Sequence, residues 1–258
     1  MQPHPFYQAI IDAYRAAGRP AFHQVSPQEA RAMMRAVTEA AKPPPDLPEL
    51  RAVEGRAIEG PHGAIPIRIY HPAGEPVGTF VYFHSGGWVI GDLGSADVSC
   101  RRLAAAGRCT LVSVNYRKAP EHPFPQPLDD CRAALLWAAE TFPGALLVGG
   151  ESAGASLAAA CAIQARAAGG PVLCGQWLAY PVTDHDFATP SYDAVGEKGF
   201  LLSRADMIWF WDQYCPVGTD RADPLASPLR VADARGLPPA MVLVSELDPL
   251  RDEGLAFA

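Results

Sequence analysis

The stretch Ala145-Leu146-Leu147-Val148-Gly149-Gly150-Glu151-Ser152-Ala153-Gly154-Ala155 decides how this chain folds. Its apolar start has the length and character of a buried strand, and the small-residue run Ala155 to Ala168 reads as a helix. Between them lies Gly150-Glu151-Ser152-Ala153-Gly154, a G-x-S-x-G pattern. Placed between strand and helix, that pattern makes a sharp turn holding the serine in a strained backbone conformation. Side chains at the flanking glycines would collide with the neighbouring strand or helix. Ser152 then stands at a helix N-terminus, where free N–H groups and the dipole favour negative charge. So short a pattern also arises by chance in a chain with 23 glycines, and a lone serine is a weak nucleophile. Its partners must be found elsewhere.

Working outward, Phe80-Val81-Tyr82-Phe83, Thr110 to Val114, Val172 to Leu178 and Met241 to Val244 are further short apolar runs. Helical segments, Ala96 to Ala106 and Leu128 to Phe142, separate the earlier ones. Strands apolar on both faces and alternating with helices imply a mostly parallel sheet covered on both sides, an α/β fold. In such sheets ligands sit beyond the carboxyl ends of the strands, where Ser152 falls. Upstream, Arg51 to Glu59 and Ile65 to Tyr70 alternate in hydrophobicity around Gly60-Pro61-His62-Gly63, an antiparallel hairpin. Phe6 to Arg19 and Ser26 to Ala41 read as helices, the second opened by Ser26-Pro27-Gln28-Glu29 with its cap and its glutamate three residues later. The segment Arg204 to Tyr214 carries Trp209, Phe210, Trp211 and Tyr214. It is either plain core or a helix lining an apolar pocket.

The totals bound the class. A chain of 258 residues, 49% hydrophobic and 19% charged, can bury a substantial core as one α/β domain. A formal net charge of −7 argues against nucleic acid as a partner. The six cysteines show no metal-like spacing and read as buried thiols in a reducing compartment. The N-terminus lacks the basic and apolar regions of a secretory signal, and no uncharged apolar run reaches membrane-spanning length. The expectation is a soluble, cytoplasmic protein.

Two further segments supply partners for Ser152. His84-Ser85-Gly86-Gly87-Trp88 follows directly on the Phe80 to Phe83 strand. Consecutive glycines there let backbone N–H groups turn into a site, so Gly86 and Gly87, with Ala153 after the serine, are the candidate oxyanion donors. His84 precedes this loop and reads as its brace rather than as a base. Asp248, in Ser245-Glu246-Leu247-Asp248-Pro249-Leu250, lies just past a late strand, where a triad acid belongs in the order Ser…Asp…His. It would hold a histidine in the right tautomer. Asp252 and Glu253 are rivals that read instead as first-turn carboxylates of the next helix.

With these blocks the chain resembles the bacterial hormone-sensitive-lipase-like esterases of the α/β-hydrolase superfamily. The resemblance rests on the His84 to Trp88, Gly150 to Gly154 and Asp248 to Gly254 segments and on Asn115-Tyr116-Arg117-Lys118-Ala119-Pro120-Glu121-His122-Pro123-Phe124-Pro125. They occur in family order, and the likeness runs from about Pro5 to the last residue. It implies hydrolysis of short- to medium-chain carboxylic esters through an acyl-enzyme, a small-molecule ester as the partner, and no metal or organic cofactor. It also implies a helical cap from about residues 1–45 and 185–225 over a core of about 50–184 and 226–258. Trp88, Phe200, Trp209 and Phe210 are then the candidates for lining the substrate pocket, and a homodimer is an open option. The Tyr116 to Pro125 block has no derivable catalytic role; Arg117 and Glu121 are ion-pair candidates that would fix it beneath the site.

The chain departs from the family pattern in three places. Ser85 stands where glycine is usual, which leaves both donor glycines. Glu151 replaces a smaller residue before the serine, with only a slight change in local hydrogen bonding expected. No histidine occurs after His185, whereas the family's base follows the acid by some tens of residues. His185 precedes Asp248 and, beside Asp184 and Asp186, reads as an ion-pair partner. The expectation is therefore an esterase sequence truncated before its histidine, lacking a last strand and helix, with a bare sheet edge and little activity. The alternative from another class is a non-catalytic small-molecule binder on the same fold, which would have no need to keep Ser152, Gly86, Gly87 and Asp248. A dehalogenase or peptidase fits the motifs less well.

Overall fold

The structure, a computed structural model, describes residues 2–198 and 200–258. Two helices, α1 (Pro5–Ala16) and α2 (Pro27–Ala40), lead into the hairpin β1 (Ala52–Ile58) and β2 (Ile65–His71). There follow β3 (Thr79–Phe83), α3 (Asp97–Gly107), β4 (Thr110–Val114), α4 (Gln126–Thr141), β5 (Leu146–Glu151), α5 (Ala153–Ala168) and β6 (Gly175–Ala179). After β6 come α6 (Pro190–Val195), α7 (Arg204–Tyr214), β7 (Ala240–Leu243) and α8 (Arg251–Phe257). The strands form one sheet in the order β1-β2-β4-β3-β5-β6-β7. β1 and β2 run antiparallel to their neighbours, and the pairs from β4 through β7 are parallel.

Period-2 alternation distributes the central strands between two cores. Val81, Phe83, Val112, Val114 and Val148 face α4 and α5, whereas Phe80, Tyr82 and Leu111 face α3. Every residue of β3 and β4 is buried, as a sheet covered on both sides requires. At α2 the capping box forms as the sequence implies: the Glu29 N–H donates to Ser26 Oγ at 3.3 Å, and Glu29 Oε2 accepts the Ser26 N–H at 2.8 Å. The run expected from Val172 enters the sheet only at Gly175, and Val172 is almost wholly exposed. β7 differs from the inner strands, since Met241 and Leu243 are 61% and 41% exposed on an edge paired with β6 alone.

All six cysteines are free thiols, five of them buried. No described helix is long and apolar enough to cross a membrane. The N-terminal segment packs on α7, with the Phe22 and Phe210 rings 5.5 Å apart and the His23 Nδ1 2.8 Å from Asp206 Oδ1.

Candidate active site

Ser152 takes φ 53° and ψ −122°, a left-handed conformation that L residues adopt only when their surroundings impose it. Three restraints do so. Its N–H donates to the Ala179 carbonyl on β6 at 2.9 Å, and its carbonyl accepts the Ala155 and Ser156 N–H groups at 2.9 and 3.1 Å. Helix α5 also starts hard against β3: a Cβ at Gly154 would lie 2.1 Å from the Phe83 carbonyl oxygen, and one at Gly150 2.4 Å from the same atom. The two glycines of the motif are therefore required by the closeness of β3, β5 and α5. The serine hydroxyl is left without a hydrogen-bond partner among the described residues.

The loop after β3 turns through three successive left-handed residues, Gly86 (φ 123°), Gly87 (φ 56°) and Trp88 (φ 61°). The Gly86 carbonyl is drawn inward to accept the Val89 and Ile90 N–H groups at 3.0 and 2.9 Å. Among the described residues the N–H groups of Gly86, Gly87 and Ala153 donate to no protein acceptor, so all three stay available to a ligand oxygen. His84 braces the loop from below. It lies stacked on Tyr116 with ring centroids 4.3 Å apart, the Tyr116 hydroxyl donates to the His84 carbonyl at 2.7 Å, and its Nδ1 lies 2.8 Å from the Ser85 carbonyl. Burial, reinforced by the Lys118 charge, pushes the His84 imidazole down to about 3, so it is neutral at any working pH. With Nδ1 on the Ser85 carbonyl and Nε2 buried without a hydrogen-bond partner, His84 makes no contact with Ser152 through which it could act as its base.

Asp248 stands on the turn between β7 and α8, with Oδ1 accepting the Leu250 N–H at 2.9 Å. Burial pushes its carboxyl up to about 6, against only that one N–H. The rival carboxylates are occupied elsewhere. Asp252 accepts the Ser191 N–H at 2.7 Å, and buried Glu253 accepts the Thr183 N–H at 3.1 Å while its carbonyl takes the Thr183 hydroxyl at 2.8 Å. Both fall in the first turn of α8, and their bonds tie the Asp248 turn to the strands' carboxyl ends. His185 is held by Asp184 and Ser227 at 3.2 and 3.1 Å, and Asp184 is also bound by Arg230. No described histidine hydrogen-bonds to Ser152 or Asp248.

The pocket expectation needs correction. Trp88 is fully buried, stacked on Tyr214 with centroids 4.2 Å apart and edge-on to Trp211 at 5.1 Å. It is core beneath the loop, not a wall of an open pocket. Trp211 and Tyr214 belong to the same core, so α7 is largely the interior helix of the plainer reading. Phe210 is buried too, but its ring presses on Gly87, where an added Cβ would meet it at 2.2 Å. Trp209 packs half-buried on Phe210 at 5.0 Å, and half-buried Phe200 lies in the turn before α7. Two contacts escaped the sequence reading. Glu151 accepts the Tyr180 hydroxyl at 2.9 Å, more than a slight local change, and Tyr180 itself has φ 37°. Arg117 and Glu121 are both ion-paired as expected, but with Asp130 and Arg31 rather than with each other.

Comparisons with known proteins bear on the fold and the family. The family described as having the alpha/beta hydrolase fold matches residues 80–258. The carboxylic ester hydrolase LipN of Mycobacterium tuberculosis is 41% identical over 244 residues, 88% of this chain; the chain spans 63% of the length of LipN. An ethyl acetate hydrolase of Pseudomonas putida is 34% identical over 98% of this chain and 82% of its own. The ester hydrolase EH1AB1 from the metagenome of Lake Arreo superposes with a TM-score of 0.91 at 40% identity, covering 100% of this chain and 84% of that one.

Proposed function

The chain belongs to the carboxylesterase branch of the α/β-hydrolase fold family, and on that premise we propose that it carries the nucleophile, oxyanion hole and acid of a serine esterase for short- to medium-chain carboxylic esters. The observation that carries this reading is Ser152 itself: a strained, unbonded hydroxyl at the head of α5, beside three uncommitted N–H groups. Ser152 Oγ attacks the ester carbonyl carbon while its proton passes to a base. The tetrahedral oxyanion is held by the Gly86, Gly87 and Ala153 N–H groups, each such donor supplying about 3 kcal/mol. Collapse expels the alcohol, which leaves with the base's proton. Water then attacks the acyl-enzyme by the same route and frees the acid.

The base in this reading is a histidine oriented by Asp248, a part that none of the described histidines is placed to play. Two features support that assignment: every described histidine is engaged away from Ser152, and the Asp248 carboxylate is half-buried with a single N–H donor. Phe210 and Trp209, with the N-terminal segment at Phe22, form the cap side of the acyl pocket above Gly87. The experiment is hydrolysis of p-nitrophenyl acetate, butyrate and octanoate by the full-length protein. Turnover should favour the two shorter esters and fall at least about a thousandfold in Ser152→Ala. Binding of esters without turnover would favour the non-catalytic binder. Turnover that persists in Ser152→Ala would remove Ser152 as nucleophile.

A further inference from the structure

A cavity of about 490 Å³ opens between α2 and the loops that follow β3 and β4. Its walls include Arg31, Arg35, Asp92, Asn115, Lys118 and Glu121, and none of Ser152, Gly86, Gly87 or Asp248. Most of its charges are already matched. Arg31 holds Glu121 at 2.5 Å, the neighbouring Arg117 holds Asp130, and Asp92 accepts the Gly94 and Ser95 N–H groups at 3.0 and 2.8 Å. Two cations remain. Arg35, exposed on α2, has no ion pair or hydrogen bond among the described residues. The Lys118 ammonium donates to Asn115 Oδ1 at 2.7 Å and to the Tyr116 carbonyl at 3.1 Å, both neutral acceptors, and no carboxylate reaches it within salt-bridge distance.

We propose that this cavity binds a small oxyanion, with its phosphate or carboxylate group held between Lys118 and Arg35. Burial lowers the lysine to about 8, which leaves it charged at neutral pH. The ammonium touches neutral oxygens and the Tyr116 ring, and the Asp92 and Asp130 carboxylates act on it only from beyond salt-bridge distance. Its burial is therefore incompletely compensated, and an anion beside it recovers lost electrostatic energy. One ammonium N–H and the whole Arg35 fork remain free to make charge-assisted bonds. The Asn115 amide nitrogen, likewise without a partner among the described residues, adds a neutral donor.

Isothermal titration of the protein with inorganic phosphate and, separately, with citrate tests the site, chloride holding the ionic strength constant so that screening does not vary. The expected result is saturable one-site binding of at least one anion, weakened about tenfold by Arg35→Gln and by Lys118→Gln. Phosphate binding without citrate binding identifies a phosphoryl ligand, and the reverse a carboxylate. In parallel, the NMR titration of the Lys118 ammonium should move to higher pH when the anion is bound. Arg35 is exposed, so its variant keeps the test decisive should Lys118→Gln fail to fold. No saturable binding of either anion, or unchanged affinity in Arg35→Gln, overturns the proposal.

Discussion

The two halves of the site are built differently. Ser152 and the glycine loop proposed as its oxyanion hole rest on β3 and β5, inner strands buried on both faces and paired on both edges. Asp248, the proposed acid, rests on β7, an edge strand with exposed apolar side chains, and its turn is fastened by side-chain bonds from Thr183 and Ser191. Close packing of backbone fixes the first half, so its geometry tolerates no added atom. The second half is fixed by a few polar contacts, so its geometry can be loosened one bond at a time. The same contrast holds for charge: the neutral His84 lies inside the first half, whereas Asp248 is a carboxylate held against a desolvation penalty.

The largest break in that comparison comes at Gly154. Gly154→Val places a side chain where even a Cβ would lie 2.1 Å from the Phe83 carbonyl, and urea denaturation should show a loss of more than about 3 kcal/mol or no folded protein. In the acid half, Thr183→Val removes the hydroxyl bond to the Glu253 carbonyl and should lower stability by only about 1–2 kcal/mol. Asp248→Asn should act in the opposite direction. Its folded carboxyl sits at about 6, above the ordinary value, so the carboxylate destabilises the fold increasingly as pH rises from about 4 through 6. The variant of this 258-residue chain should therefore gain about 1–2 kcal/mol at pH 8 and nothing at pH 4, measured by chemical denaturation at both. Smallest of all, Met241→Lys on the exposed edge should change stability by less than about 0.5 kcal/mol, whereas Val148→Lys in β5 should not fold.

Legibility in the sequence followed the same division. The elbow, the oxyanion loop and the inner strands could be read because close packing writes itself as fixed glycines and unbroken apolar runs. Asp248, Asp252 and Glu253 could be told apart by their place relative to a strand end and a helix start. What could not be read depends on tertiary neighbours. A tryptophan that lines a pocket and one that fills a core have the same local pattern, and so Trp88 was expected at the ligand and lies instead under the loop. Nothing local marks Tyr180 as left-handed or as the partner of Glu151. Nor does the sequence around Lys118 show that its ammonium faces a cavity with no carboxylate in contact, because the opposing wall comes from α2, some eighty residues earlier.

The central claim, that the β3–β5 half presents Ser152 as the nucleophile, is tested most directly by labelling with a fluorophosphonate ester and locating the adduct by peptide mass spectrometry. A phosphonyl group on Ser152, absent from Ser152→Ala, is the predicted result. An adduct on any other residue, or labelling that survives in Ser152→Ala, would contradict it.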